Sequence, residues 1–261
     1  MVSMIGKPTG PARVALFLWI FSTVQIAFAQ SDEEEVGSVA AARIMGSAPL
    51  VDSPNAQRYV NLVGATVVRK ADAPYKWRFG LIKTDSVNAF ATPGGFVLVT
   101  AGLVRSLESE DELAFVLAHE IAHVLQRHHY RVIVKQRLAE KAMKSVQAAS
   151  GSTQNAALSQ ASAQLFARGL DKSSEYEADR IGVELMTEAG YDPAAAISVL
   201  ERLQKLKGDD PRAELLFQTH PSAFERMDVV FQSGIEQLPR PAIEGVNRRT
   251  TRFKQFLALF Q

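Results

Sequence analysis

The hydrophobic pattern divides the chain into three textures. Val14 to Phe28 (VALFLWIFSTVQIAF) is an uncharged apolar run at the start. From Asp32 the pattern turns helical. Asp32 to Met45 reads as a short amphipathic helix, and Ser53-Pro54 opens another with Ser at N-cap and Pro at N1. Tyr59, Val60, Leu62, Val63, Val67 and Val68 recur at helical spacing up to Lys70. After Pro74 the period becomes two: Trp77, Phe79 and Leu81 alternate with Lys76, Arg78 and Gly80. Asn88 to Ala91 and Phe96 to Thr100 read as two more strands, joined by a turn at Thr92-Pro93-Gly94-Gly95.

From Gly102 almost everything reads as helix. Ser109-x-x-Glu112 is a capping box whose helix is expected to run past His129. Residues 145–164, rich in Ala, Ser and Gln, are either weakly packed helix or a mobile lid over the site. Ser174-x-x-Glu177 is expected to open a helix ending near Gly190, and Asp192-Pro193 the next. His220-Pro221 precedes a last short helix, and the tail from Pro239 is basic and then apolar. No internal repeat is visible. The sum is an α+β chain, mostly helical, with a small sheet at about 76–100.

Composition bounds the rest. A chain of 261 residues suits one domain with a sizeable core. A formal charge of +1 argues for no nucleic-acid or membrane-surface partner. With Cys 0, disulfides, thiolate metal sites, a cysteine nucleophile and a lipid-modified cysteine are all excluded. Lys7 and Arg13 ahead of the apolar run, and Ala27-Phe28-Ala29 behind it, follow the plan of a signal peptide cleaved after Ala29. The alternative is an uncleaved anchor, but the run falls short of the roughly 20 residues a membrane span needs. The expectation is therefore a signal peptide over 1–29, then a single domain over 30–261, exported to the periplasm or beyond, with no stable membrane span.

The chemistry lies in His119-Glu120-Ile121-Ala122-His123, a match to H-E-x-x-H inside an apolar helical stretch free of Pro and Gly. Residues i and i+4 share a helix face about 6 Å apart, so two imidazoles can converge on one cation. Glu120 points beside the metal, where a carboxylate can take a proton from an activated water. Two surface histidines on an ordinary helix would be the bland alternative, but the apolar surroundings disfavour it.

A catalytic site of this kind takes a third protein ligand from elsewhere. His129 stands at the offset of a distant-histidine motif, but Gln126 replaces its glycine, so His128 and His129 read better as solvent-facing or supporting residues. Glu175 and Asp179 lie i, i+4 in Glu175-Tyr-Glu-Ala-Asp179. Glu175 could ligate while Asp179 accepts from the far nitrogen of a ligand histidine. Equally, these are exposed helix acids and Glu177 only a cap; spacing alone leaves the two readings level.

HEIAH, EYEAD some 50 residues on, His220-Pro221-Ser222 with Arg226, and the segment from Asn88 to Leu103 together resemble the gluzincin zinc metallopeptidases that include HtpX, the CaaX prenyl endopeptidases and the Oma-type mitochondrial protease. The resemblance covers roughly residues 55 to 230. It implies a zincin-like fold with the sheet beside the metal-site helices, one zinc per chain on His119, His123 and Glu175, and Glu120 as general base. It also implies Asp179 as the orienting acceptor, and His220 and Arg226 as transition-state donors. His220 could instead close the zinc site in a latent state, as in soluble exported BepA-like members, or merely cap a helix. The family's multi-span members are set apart by the lack of any other long apolar run here.

Phe96 to Thr100 is either a core strand or an edge strand to which an unfolded substrate could add; the resemblance favours the edge. The expected activity is hydrolysis of peptide bonds in misfolded or unassembled envelope proteins. The alternatives are a chaperone-like assembly factor that holds zinc and clients but cuts little, and a hydrolase of small amides.

Overall fold

A computed structural model describes residues 32–260, apart from Lys70, Asp72, Pro74, 151–169, 207–209, Pro221 and Ser222, and the side chains of 142–150. The expected signal peptide, most of the 145–164 stretch, and Pro221-Ser222 of the third motif thus lie outside the described residues.

Helix α1 spans 32–47 and leads to α2 (Pro54–Val68). The Ser53 side chain accepts from Ala56 N, as the Ser-Pro start predicts. Three strands follow: β1 (Arg78–Ile82), β2 (Ala89–Thr92) and β3 (Phe96–Thr100). β1 is buried along nearly its whole length, so the alternation in its sequence does not mark a solvent face. β3 pairs parallel with β1, Phe79 opposite Val97, and antiparallel with β2, Phe90 opposite Leu98.

The order β1-β3-β2 makes Phe96–Thr100 the central strand, which corrects the expectation of an edge. Its Val97, Leu98 and Val99 are buried, and the apolar run reflects that. The outer side of β1 is covered: Gln57 accepts from Leu81 N and donates to Leu81 O, and Asn61 donates to Phe79 O. On the other side β2 is the terminal strand, packed on the motif helix.

Thr100 caps α3 (Ala101–Ser106). Ser109 caps α4 (Glu110–Leu125), which carries the H-E-x-x-H motif and is buried from Glu110 to Val124. α4 does not run past His129. It ends at Leu125; Arg127 adopts φ 56, and α5 (His128–Ser150) starts in a new direction. α6 (Lys172–Glu188) starts earlier than expected, because Asp171 rather than Ser174 is its cap. Gly190 ends its turn with φ +86. Next come α7 (Ala194–Lys205), α8 (Glu214–Thr219) and α9 (Ala223–Gln232).

The tail is helical as well. A short 3-10 turn at Ile235–Gln237 leads to α10 (Ile243–Leu257), so the helix after His220 is not the last. Phe253 and Phe256 of α10 are buried in the same apolar cluster as α2, α4 and the sheet, and Phe256 stacks on Tyr59 with centroids 4.1 Å apart. Arg252 Nε donates to Glu110 Oε2 at 2.6 Å, and Arg249 Nη2 to Asp111 Oδ1 at 2.8 Å. These acids lie in the first turn of α4, where the helix dipole favours negative charge and burial demands a partner.

α10 is therefore part of the fold and not a solvated tail. Phe253→Ala is expected to cost about 3–5 kcal/mol, read as a lowered urea midpoint with an unchanged slope.

Candidate metal centre

α4 delivers His119, Glu120 and His123, all buried, from one helix face and its flank. His119 Nε2 and His123 Nε2 face each other at 3.0 Å. α6 crosses close to α4 because Gly182 lacks a side chain: a Cβ there would lie 3.1 Å from His119 N. That approach brings in Glu175, whose Oε2 lies 3.6 Å from His119 Nε2 and Oε1 3.4 Å from His123 Nε2. His220, the residue at the end of α8, sets its Nδ1 3.0 and 3.1 Å from the two Glu175 oxygens. Donor atoms of His119, His123, Glu175 and His220 all lie within 4.8 Å of one another.

The donor set fits a metal ion. Donors about 2.0–2.1 Å from a tetrahedral ion lie about 3.3 Å from each other, close to the separations of the two histidines and Glu175. Proton bookkeeping points the same way. Asp179 Oδ1 lies 2.9 Å from His119 Nδ1 and, as a carboxylate, only accepts. On the neutral ring Nδ1 then carries the hydrogen, and Nε2 presents a lone pair to His123 Nε2. Two such nitrogens 3.0 Å apart beside a buried carboxylate are held together only by a proton or a metal cation between them. Glu120 adds a buried Oε2 with no hydrogen-bond partner among the described residues.

The electrostatics express the same demand for positive charge. Burial and Arg226 disfavour charge on His119, but Asp179 and Glu175 outweigh them and raise its pKa to about 9. His123, buried and next to His119, is held well below its usual value. Burial raises the Glu120 carboxyl. It would also raise Glu175 and Asp179, yet His220, His119 and Arg226 hold Glu175 well below the carboxylate range, and Arg226 with His119 lowers Asp179.

Arg226, expected near the metal as a transition-state donor, lies among the acids. Its Nε and Nη2 donate to Asp179 Oδ2 and Oδ1, both at 2.7 Å, and its Nη1 lies 3.2 Å from Glu175 Oε2. The guanidinium is committed to two buried carboxylates instead of opening toward an oxyanion. His128 is buried, not solvent-facing, with Nδ1 2.8 Å from His123 Nδ1. His129 is half-buried; its ring lies 5.4 Å from that of His123, outside the donor group.

The sequence reading missed the contact of Glu177 with His128 Nε2 at 3.2 Å. It also missed Glu33 of α1, buried against Arg127 at the turn after the motif. The turn hides both, because Gln126-Arg127 carries no glycine to announce it.

An H-E-x-x-H helix crossed by a second helix with a buried glutamate is the arrangement of a metal-dependent hydrolase. Residues 54–232 match the profile of Peptidase family M48, and the chain belongs to that family. It is 32% identical over 205 residues to the "Beta-barrel assembly-enhancing protease" of Escherichia coli (strain K12), covering 75% of this chain and 42% of that protein. The Yersinia pestis protein of the same name is 33% identical over 219 residues, covering 80% of this chain and 45% of the relative. "Mitochondrial metalloendopeptidase OMA1" of Schizosaccharomyces pombe is 37% identical over 156 residues, 58% of this chain and 45% of that protein. The chain thus spans under half the length of these relatives.

Arg226→Ala leaves two buried carboxylates without their cation and is expected to cost about 3–5 kcal/mol in protein stripped of metal. Both carboxylates have folded-state values below their unfolded ones. Their pairing therefore contributes fully above the ordinary carboxylate range of about 4 and is lost as pH falls through the depressed values. Urea unfolding across pH 2 to 7 is expected to show a steeper acid decline for the wild type than for Arg226→Ala.

Proposed function

We propose that this chain is a zinc-dependent endopeptidase that cuts misfolded or unassembled envelope proteins after export. The observation that carries this reading is the convergence of His119 Nε2, His123 Nε2 and Glu175 beside an oxygen of Glu120 that has no partner among the described residues. Two imidazoles and one carboxylate, with a fourth position left for substrate once His220 withdraws, suit zinc. The ion, when bound, supplies a Lewis acid for the scissile carbonyl and lowers the pKa of water.

The protein's own residues do the rest. Glu120 takes the proton of the attacking water and passes it to the leaving amide nitrogen. A carboxyl whose pKa burial has raised is a better base and a readier acid than an ordinary one. Asp179 holds the His119 tautomer, and Arg226 holds Asp179 and Glu175 in place. The Nε2 of His220 lies 3.7 Å from Glu120 Oε1 while its Nδ1 faces Glu175. We read this as a latent arrangement in which His220 would be a fourth ligand and would withdraw for substrate.

Substrate recognition is assigned to the main chain. β2 is the terminal strand, packed against the motif helix, and no further strand pairs with it among the described residues. An extended segment can add there with little sequence preference, which favours unfolded clients. Export rests on the N-terminal pattern of Lys7, Arg13 and Ala27-Phe28-Ala29. Among the described residues, no helix is long and apolar enough to cross a membrane.

The test is casein degradation by purified residues 30–261, with zinc content measured in parallel. Glu120→Gln is expected to keep one zinc and lose cleavage by about 10²–10⁴-fold. His220→Ala is expected to cut faster than the wild type. Equal cleavage by wild type and Glu120→Gln overturns the proposal.

A further inference from the structure

The turn after the motif helix leaves a short hydrogen-bonded chain behind the second histidine. His123 is fully buried, and its Nδ1 faces His128 Nδ1 at 2.8 Å. His128 is itself buried, and its Nε2 lies 3.2 Å from Glu177 Oε2. A carboxylate only accepts, so His128 carries its hydrogen on Nε2 and presents a lone pair at Nδ1. That lone pair can accept only if His123 is protonated on Nδ1. His123 Nε2 is then the bare nitrogen that faces His119. With the opposite assignment, two N–H groups would clash at 2.8 Å, or a hydrogen would sit on the nitrogen turned toward His119.

Resting on the reading of His119, His123 and Glu175 as ligands, we infer that His128 and Glu177 are positioning residues that fix the tautomer and ring orientation of His123. His119 obtains the same service directly from Asp179. α6 is then the source of all three acids, Glu175 for the metal, Asp179 behind one histidine, and Glu177 behind the other through His128. The chain depends on the turn at Gln126-Arg127. Arg127, at φ 56, is in the left-handed conformation, which disfavours any non-glycine residue. The turn is held from two sides. Arg127 Nε is paired with buried Glu33 of α1, and the guanidinium lies 4.8 Å over the Tyr130 ring.

The test is zinc affinity by competition with a chelator, on residues 30–261, beside thermal unfolding of the same proteins stripped of metal. His128→Ala is expected to weaken zinc binding about 10–100-fold. His128→Asn, whose amide oxygen can accept from His123 Nδ1, is expected to recover most of that loss. Glu177 has 41% side-chain exposure, so Glu177→Ala is expected to unfold like the wild type while losing several-fold in affinity. Added to His128→Ala, it is expected to cost nothing further. Wild-type affinity in His128→Ala, equal losses in His128→Ala and His128→Asn, or additive losses in the double variant each overturn the inference. If His128→Ala fails to fold, an unchanged affinity in Glu177→Ala does so alone. A wild type that binds no zinc overturns the ligand reading itself, and this inference with it.

Discussion

The structure depends on one buried guanidinium. Arg226 of α9 meets both oxygens of Asp179 and one of Glu175, and all three side chains are almost wholly removed from water. Two carboxylates in such a place would otherwise protonate or force the helices apart. With the cation present they stay charged, and each can act on a histidine of α4. Asp179 faces the far nitrogen of His119, and Glu175 faces the near nitrogens of both motif histidines. Arg226 thus places its donors on the two acids, Asp179 and Glu175.

The remaining architecture keeps α4 in register with that cluster. At the N-terminal end, Glu110 and Asp111 are buried and paired with Arg252 and Arg249 of α10. At the other end, Glu33 of α1 secures Arg127. Between them Gly182 permits α6 to approach the backbone of His119. The helix is thus fixed at both ends by elements distant in sequence, and at its middle by the absence of a side chain. A rigid support of this kind suits a site whose ligand geometry tolerates only tenths of an ångström.

Much was legible in local patterns. Ser53-Pro54 and Ser109-x-x-Glu112 marked helix starts, because a cap is satisfied within three residues of itself. The spacing of His119 and His123 placed them on one face by helical repeat alone. Other local signals misled for equally physical reasons. Ser174-x-x-Glu177 has the form of a capping box, but Asp171 supplies the cap and Glu177 turns to His128 instead. The repeat of Val246, Phe253, Phe256 and Phe260 could have announced α10, yet the tail showed only as basic and then apolar, because its arginines find their acids, Glu110 and Asp111, some 140 positions back in the chain.

The sequence by itself determined the motif, its helical character, the small sheet and, by resemblance, which residues to expect around a candidate metal site. These rest on periods of two to four residues or on matched motifs, and neither needs a fold to be read. Only the tertiary structure decided that Phe96–Thr100 lies at the centre of its sheet, since strand order depends on which neighbours bury which faces. Only it brought Glu175 and His220 to the same histidines and turned His128 back onto His123. Those meetings span from 5 to over 100 positions of chain, and the packing of α6, α8 and α9 around α4 sets their geometry.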